Sequence, residues 1–342
     1  MKTQGELGRF YNRALFDDLK ALERQRKIIV PKVVAAVVLI LAVGGGSFAG
    51  MHVYNWHVGY VLAAWFLLFV VMFPILKKLH RQILYFKSEF KHRIIERIVR
   101  FIDGNLLYDK DECIPESEFR KCRLFTTDFD RYEGDDLVSG KIGRTEFRFS
   151  DIHAYDETER DKGGTKRATI FKGIFYVADF NKQFSSTTVV LPDTAERLFG
   201  RLGKKLQSWH ILRDKLVNLE DPEFEKHFVV YSEDQIQARY VLSTSLMKRI
   251  LDFKKKAQKP IYLSFQDSKM FVAISYNKRL FEPRSFGTLV SFPMVREYYL
   301  DLQLALGIAE DLNLNRRIWS KQDAGSSASD IRRARSPEEK RD

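Results

Sequence analysis

The chain has 342 residues, of which 45% are hydrophobic, and a formal net charge of +12 at pH 7. It is long enough to bury a substantial core. Its two cysteines, Cys113 and Cys122, are too few for a disulfide framework or a four-ligand zinc site, and we predict no metal and no cofactor. The excess positive charge suggests a nucleic-acid partner, but its placement beside apolar segments favours a membrane surface instead.

Residues 1–32 are predicted to form a cytoplasmic amphipathic helix. Apolar side chains recur there at helical spacing, namely Phe10, Leu15, Leu19 and Leu22. Such a helix either lies on the inner leaflet of the membrane or packs on a later helix. It is not a cleavable signal peptide, because it carries acidic residues and leads into two apolar spans.

Residues 33–76 are predicted to form a transmembrane helical hairpin. The stretches 33–51 and 58–76 contain no charged side chain, and each approaches the roughly 20 apolar residues that cross a bilayer. Backbone groups inside lipid must bond to one another, so both stretches should be helices. Gly46 and Gly50 have the spacing of a close helix–helix contact, which we assign to the hairpin in preference to a dimer.

Residues 77–104 are predicted to form a basic juxtamembrane helix that ends at Gly104. Lys77, Lys78 and Arg81 open this run of cations, and other basic residues precede the first span, whereas the connector carries none. Positive charge marks the cytoplasmic side and is attracted to anionic headgroups. We therefore predict that both termini are cytoplasmic, that Lys77, Lys78 and Arg81 contact anionic lipid headgroups, and that nucleic acid is not a partner.

The basic helix also carries a continuous apolar stripe at steps of three and four residues, formed by Leu79, Ile83, Phe86, Phe90, Ile94, Ile98 and Phe101. An apolar stripe of this length must be buried. The sequence is compatible with three packing partners for this stripe: the N-terminal helix, the soluble domain or a second copy of the chain.

Residues 105–321 are predicted to form a cytoplasmic α+β domain, and residues 322–342 a disordered tail. Alternating apolar and polar residues predict strands at 136–142, 145–155, 168–180, 187–191, 216–219, 228–231, 261–265 and 270–275. Helices are predicted at 194–205, from Ser243 to about Lys256, and from Pro293 onward. The predicted fold class is α+β, with a two-helix transmembrane hairpin followed by a cytoplasmic domain of antiparallel strands and helices.

Residues 134–141 approach the pattern of a phosphate-binding loop. They have five residues between the glycines instead of four, and Ile142 replaces the Ser or Thr that would bind magnesium. We interpret this segment as a β-turn.

The strongest candidate cluster is an acidic run followed by His227. Carboxylates this close together could bind a divalent cation or share a proton, with the histidine as a base. The alternative is a helix start, with Asp221 as N-cap and Pro222 as the first helical residue. Arg239 is predicted to form a buried ion pair with one of these acids. The candidate binding residues are therefore Glu220, Asp221, Glu223, His227 and Arg239.

Several strings of residues resemble one bacterial family: Leu219-Glu220-Asp221-Pro222-Glu223-Phe224-Glu225, Gln237-Ala238-Arg239-Tyr240, Phe281-Glu282-Pro283 and Leu312-Asn313-Leu314-Asn315-Arg316-Arg317-Ile318-Trp319. Over nearly its whole length the chain is similar to the bacterial membrane proteins grouped as domain of unknown function 3137. The resemblance implies a bacterial inner-membrane protein. It supplies motif residues without roles, because it carries no established reaction.

These patterns favour a membrane-anchored cytoplasmic binding or scaffold domain whose partner is another protein or a second copy. The alternative is a membrane-bound hydrolase or metal-dependent enzyme centred on Glu220, Asp221, Glu223 and His227. A transporter is disfavoured, because two uncharged spans offer no polar path across the bilayer.

Overall fold

The structure is a computed structural model that describes residues 2–53, 57–125, 127–159, 165–180, 182–193, 216–284, 287–312 and 314. The chain divides into a helical unit, Met1–Lys110 with Leu280–Gln303, and a sheet unit, Asp111–Arg279 with Leu304–Asp342. Two long N-terminal apolar helices and an antiparallel sheet with helices confirm the predicted α+β class. The predicted helix at 194–205 and the predicted tail lie outside the described residues.

The helical unit begins with α1 (Gln4–Phe10), which Thr3 caps. The Thr3 hydroxyl accepts a hydrogen bond from the Glu6 N–H, and the Glu6 carboxylate accepts one from the Thr3 N–H. A π-helical turn (Tyr11–Leu15) joins α1 to α2 (Phe16–His52). Helix α2 therefore runs without a break from the amphipathic stretch into the first apolar span.

The second half of the hairpin begins with α3 (Val58–Phe90), which passes through a π-helical turn (Lys91–Ile95) into α4 (Glu96–Ile102). The helix ends two residues before the predicted stop at Gly104. Its last turns pack on the N-terminal helices: Phe10 stacks on Phe101 with ring centroids 4.2 Å apart, and Arg97 donates to the Ala14 carbonyl at 2.8 Å. The N-terminal amphipathic stretch thus packs on the later helix, which was one of its two predicted placements.

Helices α2 and α3 are long and apolar enough to cross a membrane, and most of their apolar side chains in the spans are exposed. Small residues of α2 allow α3 to approach. The Trp65 indole N–H donates to Ser47 Oγ at 3.1 Å, and a Cβ on Gly44 would lie 3.8 Å from the same ring. Gly50 is buried, whereas Gly46 is exposed with open space where a Cβ would stand, so only one of the two predicted glycines packs inward.

A segment from the C-terminal third of the chain packs against the apolar stripe that begins at Leu79. We call Leu280–Gln303 the docking segment. Phe90, fully buried, meets Tyr298 with ring centroids 6.0 Å apart, and Phe101 meets Tyr299 at 6.2 Å. The stripe is therefore covered within one chain, by the N-terminal helices and by the docking segment.

Two carboxylates hold the docking segment on the helices. Glu23, 8% exposed, accepts from the Leu289 N–H at 3.0 Å and from the Arg26 guanidinium at 2.9 Å. Hydrogen bonding by Arg26 holds the pKa of Glu23 below its usual value, so this buried acid is charged at neutral pH. Glu282 of the segment pairs with two lysines of the helix, at 2.9 Å with Lys87 and 3.6 Å with Lys91.

Within the described residues the sheet has eight strands: β1 (Leu107–Asp109), β2 (Arg131–Ile142), β3 (Thr145–Glu159), β4 (Thr165–Asp179), β5 (Thr188–Pro192), β6 (Phe228–Ser232), β7 (Ile261–Gln266) and β8 (Lys269–Ser275). The seven strands that lie in the sheet unit, β2 to β8, are arranged in the order β2-β3-β4-β8-β7-β5-β6, and each neighbouring pair is antiparallel. The strand predicted at 216–219 is wrong, because only Leu216 forms a bridge, to Tyr231.

The described helices that begin in the sheet unit are α5 (Glu116–Lys121), α6 (Pro222–Glu225), α7 (Gln235–Val241), α8 (Thr244–Ala257) and α10 (Ile308–Asp311), while α9 (Phe292–Leu306) begins in the docking segment. Ser243 is the N-cap residue of α8, at the predicted start. Consecutive residues 271–274 of β8 are all buried, so both faces of the sheet are covered. On one face Phe119 of α5 meets Phe175 with ring centroids 4.9 Å apart.

The β-turn predicted for residues 134–141 is wrong. These residues lie inside β2, where the register shifts between Asp135 and Val138. Asp136, fully buried, has a φ of 60°, as a residue in a β-bulge can adopt. The glycines and aspartates that imitate a turn thus accommodate a bulge within a long strand.

Gly173 of β4 is the glycine that the sheet most depends on. Its φ is +143°, and a Cβ there would lie 2.1 Å from the Ile274 carbonyl oxygen and 2.9 Å from the Tyr276 nitrogen. The Tyr276 N–H donates to the Lys172 carbonyl at 2.8 Å, so β8 cannot move away without losing this bond.

We expect Gly173→Ala to destabilise the sheet unit by about 3 kcal/mol or more, because it adds backbone strain to a clash with β8. The matched control is Gly8→Ala in α1, where a Cβ would meet nothing within 4 Å. The control should be neutral or stabilising by up to about 1 kcal/mol, since alanine favours a helix. Thermal melts of the purified variants in detergent compare the two, and equal melting temperatures would contradict the prediction.

Candidate functional site

The acidic run starts helix α6, as the capping alternative predicted. Asp221 Oδ1 accepts from the Glu223 N–H at 3.0 Å and from the Phe224 N–H at 3.1 Å, and Pro222 is the first helical residue. The Glu225 carboxylate accepts from the Leu219 N–H at 2.8 Å. Each of these two carboxylates therefore satisfies backbone donors at the helix start.

The other members of the run have separate surroundings. Glu223 pairs with Lys255 of α8 at 3.1 Å, Glu220 is exposed, and the backbone N–H of His227 donates to the Phe224 carbonyl. Among the described residues, no group of three or more His, Cys, Asp or Glu side chains could hold a metal ion. A binding role for Glu220, Asp221, Glu223 and His227 stays a prediction.

The buried ion pair predicted for Arg239 is wrong, because Arg239 is exposed on α7. Its guanidinium donates to the Asn218 carbonyl at 3.3 Å and lies 3.5 Å from Gln235 Oε1. The buried residues of this short helix are Ala238 and Val241, three positions apart, so the helical period places Arg239 on the outer face.

The predicted membrane-surface residues Lys77, Lys78 and Arg81 are exposed on α3, directly after the second apolar span. Their contact with lipid headgroups stays a prediction at this point.

The structure also assembles a polar cluster that the sequence did not indicate. In the β2–β3 register Glu133 lies opposite His153, and Asp135 lies opposite Asp151. Paired residues share a face of the sheet, as do residues two positions apart on one strand, so all four side chains occupy the same face. We call these four residues, with Tyr155 and Arg279, the β2–β3 polar cluster.

Arg279, which follows β8, brings a positive charge to this face. Its guanidinium pairs with Glu133 and lies 3.7 Å from Asp135. The Tyr155 hydroxyl donates to Glu133 Oε1 at 2.7 Å. This bond, together with the charge of Arg279, holds the pKa of Glu133 below its usual value.

His153 is the histidine of this cluster. Burial, with Lys172 and Arg279 nearby, lowers its pKa, so the imidazole is neutral at pH 7. Its Nε2 lies 3.3 Å from the Thr169 hydroxyl, a long contact at an exposed position on β4. The contacts of Glu133 and Asp135 already pair their charges with Arg279, so these three residues form an ion-pair network on one face of the sheet.

No local signal in the sequence could have found this cluster. Arg279 is far from Glu133 along the chain, and only the order β2-β3-β4-β8 brings the end of β8 near β2. The bulge at Asp135 also shifts the alternation that would show which residues share a face.

The chain is an α+β protein in which two helices long and apolar enough to cross a membrane precede an antiparallel sheet with helices, and these helices suggest membrane association. Residues 169–314 match the model of the family described as "Protein of unknown function (DUF3137)". This match confirms the resemblance over residues 169–314, which contain three of the four motif strings and the first residues of the fourth.

No curated protein matches the chain. Among solved structures, the crystal structure of the mycobacterial trehalose monomycolate transport factor A, TtfA, is similar over 66% of this chain and 96% of that chain, with 10% sequence identity and a TM-score of 0.32.

We expect Arg279→Met to lower the free energy of unfolding by about 1 kcal/mol at pH 7. This value is below the usual range for hydrogen bonds between charged groups, because water reaches the Arg279–Glu133 pair and weakens it. The loss should shrink as the pH falls. The lowered pKa of Glu133 means that its carboxylate stabilises the fold above its usual pKa of 4.5, and protonation removes this contribution as the pH falls through the folded value.

Arg284→Met provides the matched control, because Arg284 and Glu297 form an exposed pair at 2.8 Å. It should change stability by less than about 0.5 kcal/mol. Melting temperatures recorded between neutral and acidic pH test both variants, and an Arg279→Met effect that does not depend on pH would refute the role given to Glu133.

Proposed function

We propose that this protein is a membrane-anchored cytoplasmic binding module of the bacterial inner membrane, with both termini in the cytoplasm. The basic residues that precede the first span and follow the second support this orientation, and no acidic residue occurs between Glu23 and Glu89. The continuity of α2 and α3 with the helices that carry the docking segment supports a role as an anchor.

One observation carries the binding role. On α7, Ile236 is 80% exposed and Tyr240, one turn later, is 45% exposed. Lys182 contacts the end of this helix: its ammonium lies 4.7 Å from the centre of the Tyr240 ring and donates to the Tyr240 carbonyl at 2.5 Å. An apolar pair presented on a helix that is fixed at its end is suited to a contact with another protein.

The orientation is tested with single cysteines in a protein whose own two cysteines are replaced by alanine. A cysteine at position 57 should react with a membrane-impermeant maleimide in intact cells that lack the outer barrier. A cysteine at position 20 should react only after the inner membrane is permeabilised. The reverse pattern, or equal labelling at both positions, would overturn the proposed orientation.

The binding surface is tested with a photo-crosslinking amino acid at position 236 in native membranes. We expect one discrete adduct, which is lost when Tyr240→Ser is introduced. The same probe at position 248, an exposed residue of α8, is the control and should give no such adduct. An adduct of twice the chain mass would identify a second copy as the partner. The absence of an adduct at 236, or the same adduct at 248, would contradict the proposal.

A further inference from the structure

The cations that follow the second span fall into two zones along α3 and α4. In the zone further from the span, from Lys87 to Arg100, each lysine and arginine has a carboxylate partner. Arg93 pairs with Glu89 at 2.7 Å, and Arg97 pairs with Asp18 at 2.6 Å. Lys87 and Arg100 are paired in the same way, with Glu282 and Glu96. The protein itself neutralises the charge in this zone.

The zone next to the spans differs. Lys32 precedes the first span, and Lys77, Lys78 and Arg81 follow the second; we call these four residues the basic collar. All four are exposed, and within the described part of the chain none has a carboxylate within 4.0 Å. Because no acid occurs between Glu23 and Glu89, the adjoining sequence supplies no counter-charge either.

Helix geometry places the collar at the depth of the headgroups. At about 1.5 Å per residue, its members lie about 1.5–7.5 Å beyond the ends of the apolar spans. The polar layer on each side of a bilayer is roughly 5–8 Å thick. Arg93, by contrast, lies about 26 Å from the end of the second span. Salt screens charges over about 8 Å at physiological ionic strength, so a lipid charge acts on the collar and not on Arg93.

We propose that the basic collar binds the phosphate groups of anionic phospholipids in the cytoplasmic leaflet. The inference rests on the proposed function, because it requires the helices to span the bilayer. Zwitterionic lipids balance their own phosphate with a neighbouring cation, whereas an anionic headgroup supplies the counter-charge that the collar lacks. Lys77 and Lys78 act as point charges, and Arg81 can hold one phosphate through two N–H donors.

The experiment reconstitutes the full chain in nanodiscs of phosphatidylethanolamine mixed with phosphatidylglycerol, and native mass spectrometry counts the lipids that stay bound. The test variant is Lys77→Gln/Lys78→Gln/Arg81→Gln. The control, Arg9→Gln/Arg13→Gln/Lys20→Gln, removes the same charge from exposed residues of the same unit that lie about 20 Å or more from the first span.

The wild type and the control should retain phosphatidylglycerol in preference to phosphatidylethanolamine, and the collar variant should lose about 10- to 100-fold of this preference. An unchanged preference in the collar variant, or an equal loss in the control, would overturn the proposal. Melting temperatures in neutral detergent should be equal for the three proteins, which separates lipid binding from folding. Cysteine labelling of the collar variant then distinguishes two causes of a lost lipid preference. If the labelling pattern is that of the wild type, the lipid contact itself was lost. If the pattern is reversed, the orientation was lost, and the result bears on the proposed function.

Discussion

The helical unit depends on two carboxylates between the docking segment and the paired helices, of which Glu23 is buried and Glu282 is partly buried. Glu23 on α2 accepts the Leu289 N–H, and Glu282 on the segment meets the lysines of α3, so each element supplies an acid to the other. Removing one partner of such a pair leaves a buried charge, which costs more than forming the pair gains. The juxtamembrane helices are therefore a platform for a segment that follows the sheet strands in the chain.

This packing changes the argument for a binding function. An apolar stripe of seven positions after the second span suggests a surface for a partner, but the chain covers the stripe with its own aromatic residues. Phe281-Glu282-Pro283, one of the family motifs, lies where the docking segment begins: Phe281 is buried, and Glu282 pairs with Lys87. Another motif contributes the exposed Tyr240 of α7. The binding role now rests on α7.

The contacts also separate the positively charged residues after the second span into paired and unpaired ones. Along the sequence, the cations from Lys77 to Arg100 form one basic run. In the structure, acids from α2, from the same helix and from the docking segment pair with the distant half of the run. The near half, at Lys77, Lys78 and Arg81, has no carboxylate partner among the described residues and lies directly after the second apolar span.

Local patterns were sufficient for the apolar helices, for most strands and for the cap at Asp221, because each depends on side chains within a few residues of one another. The sequence by itself therefore determined the α+β class and the two long apolar helices. The tertiary structure decided what covers the apolar stripe, which cations are neutralised, and that Arg279 joins Glu133 in one cluster. These outcomes depend on residues far apart in the chain, which only the order of the strands and the return of the docking segment bring together.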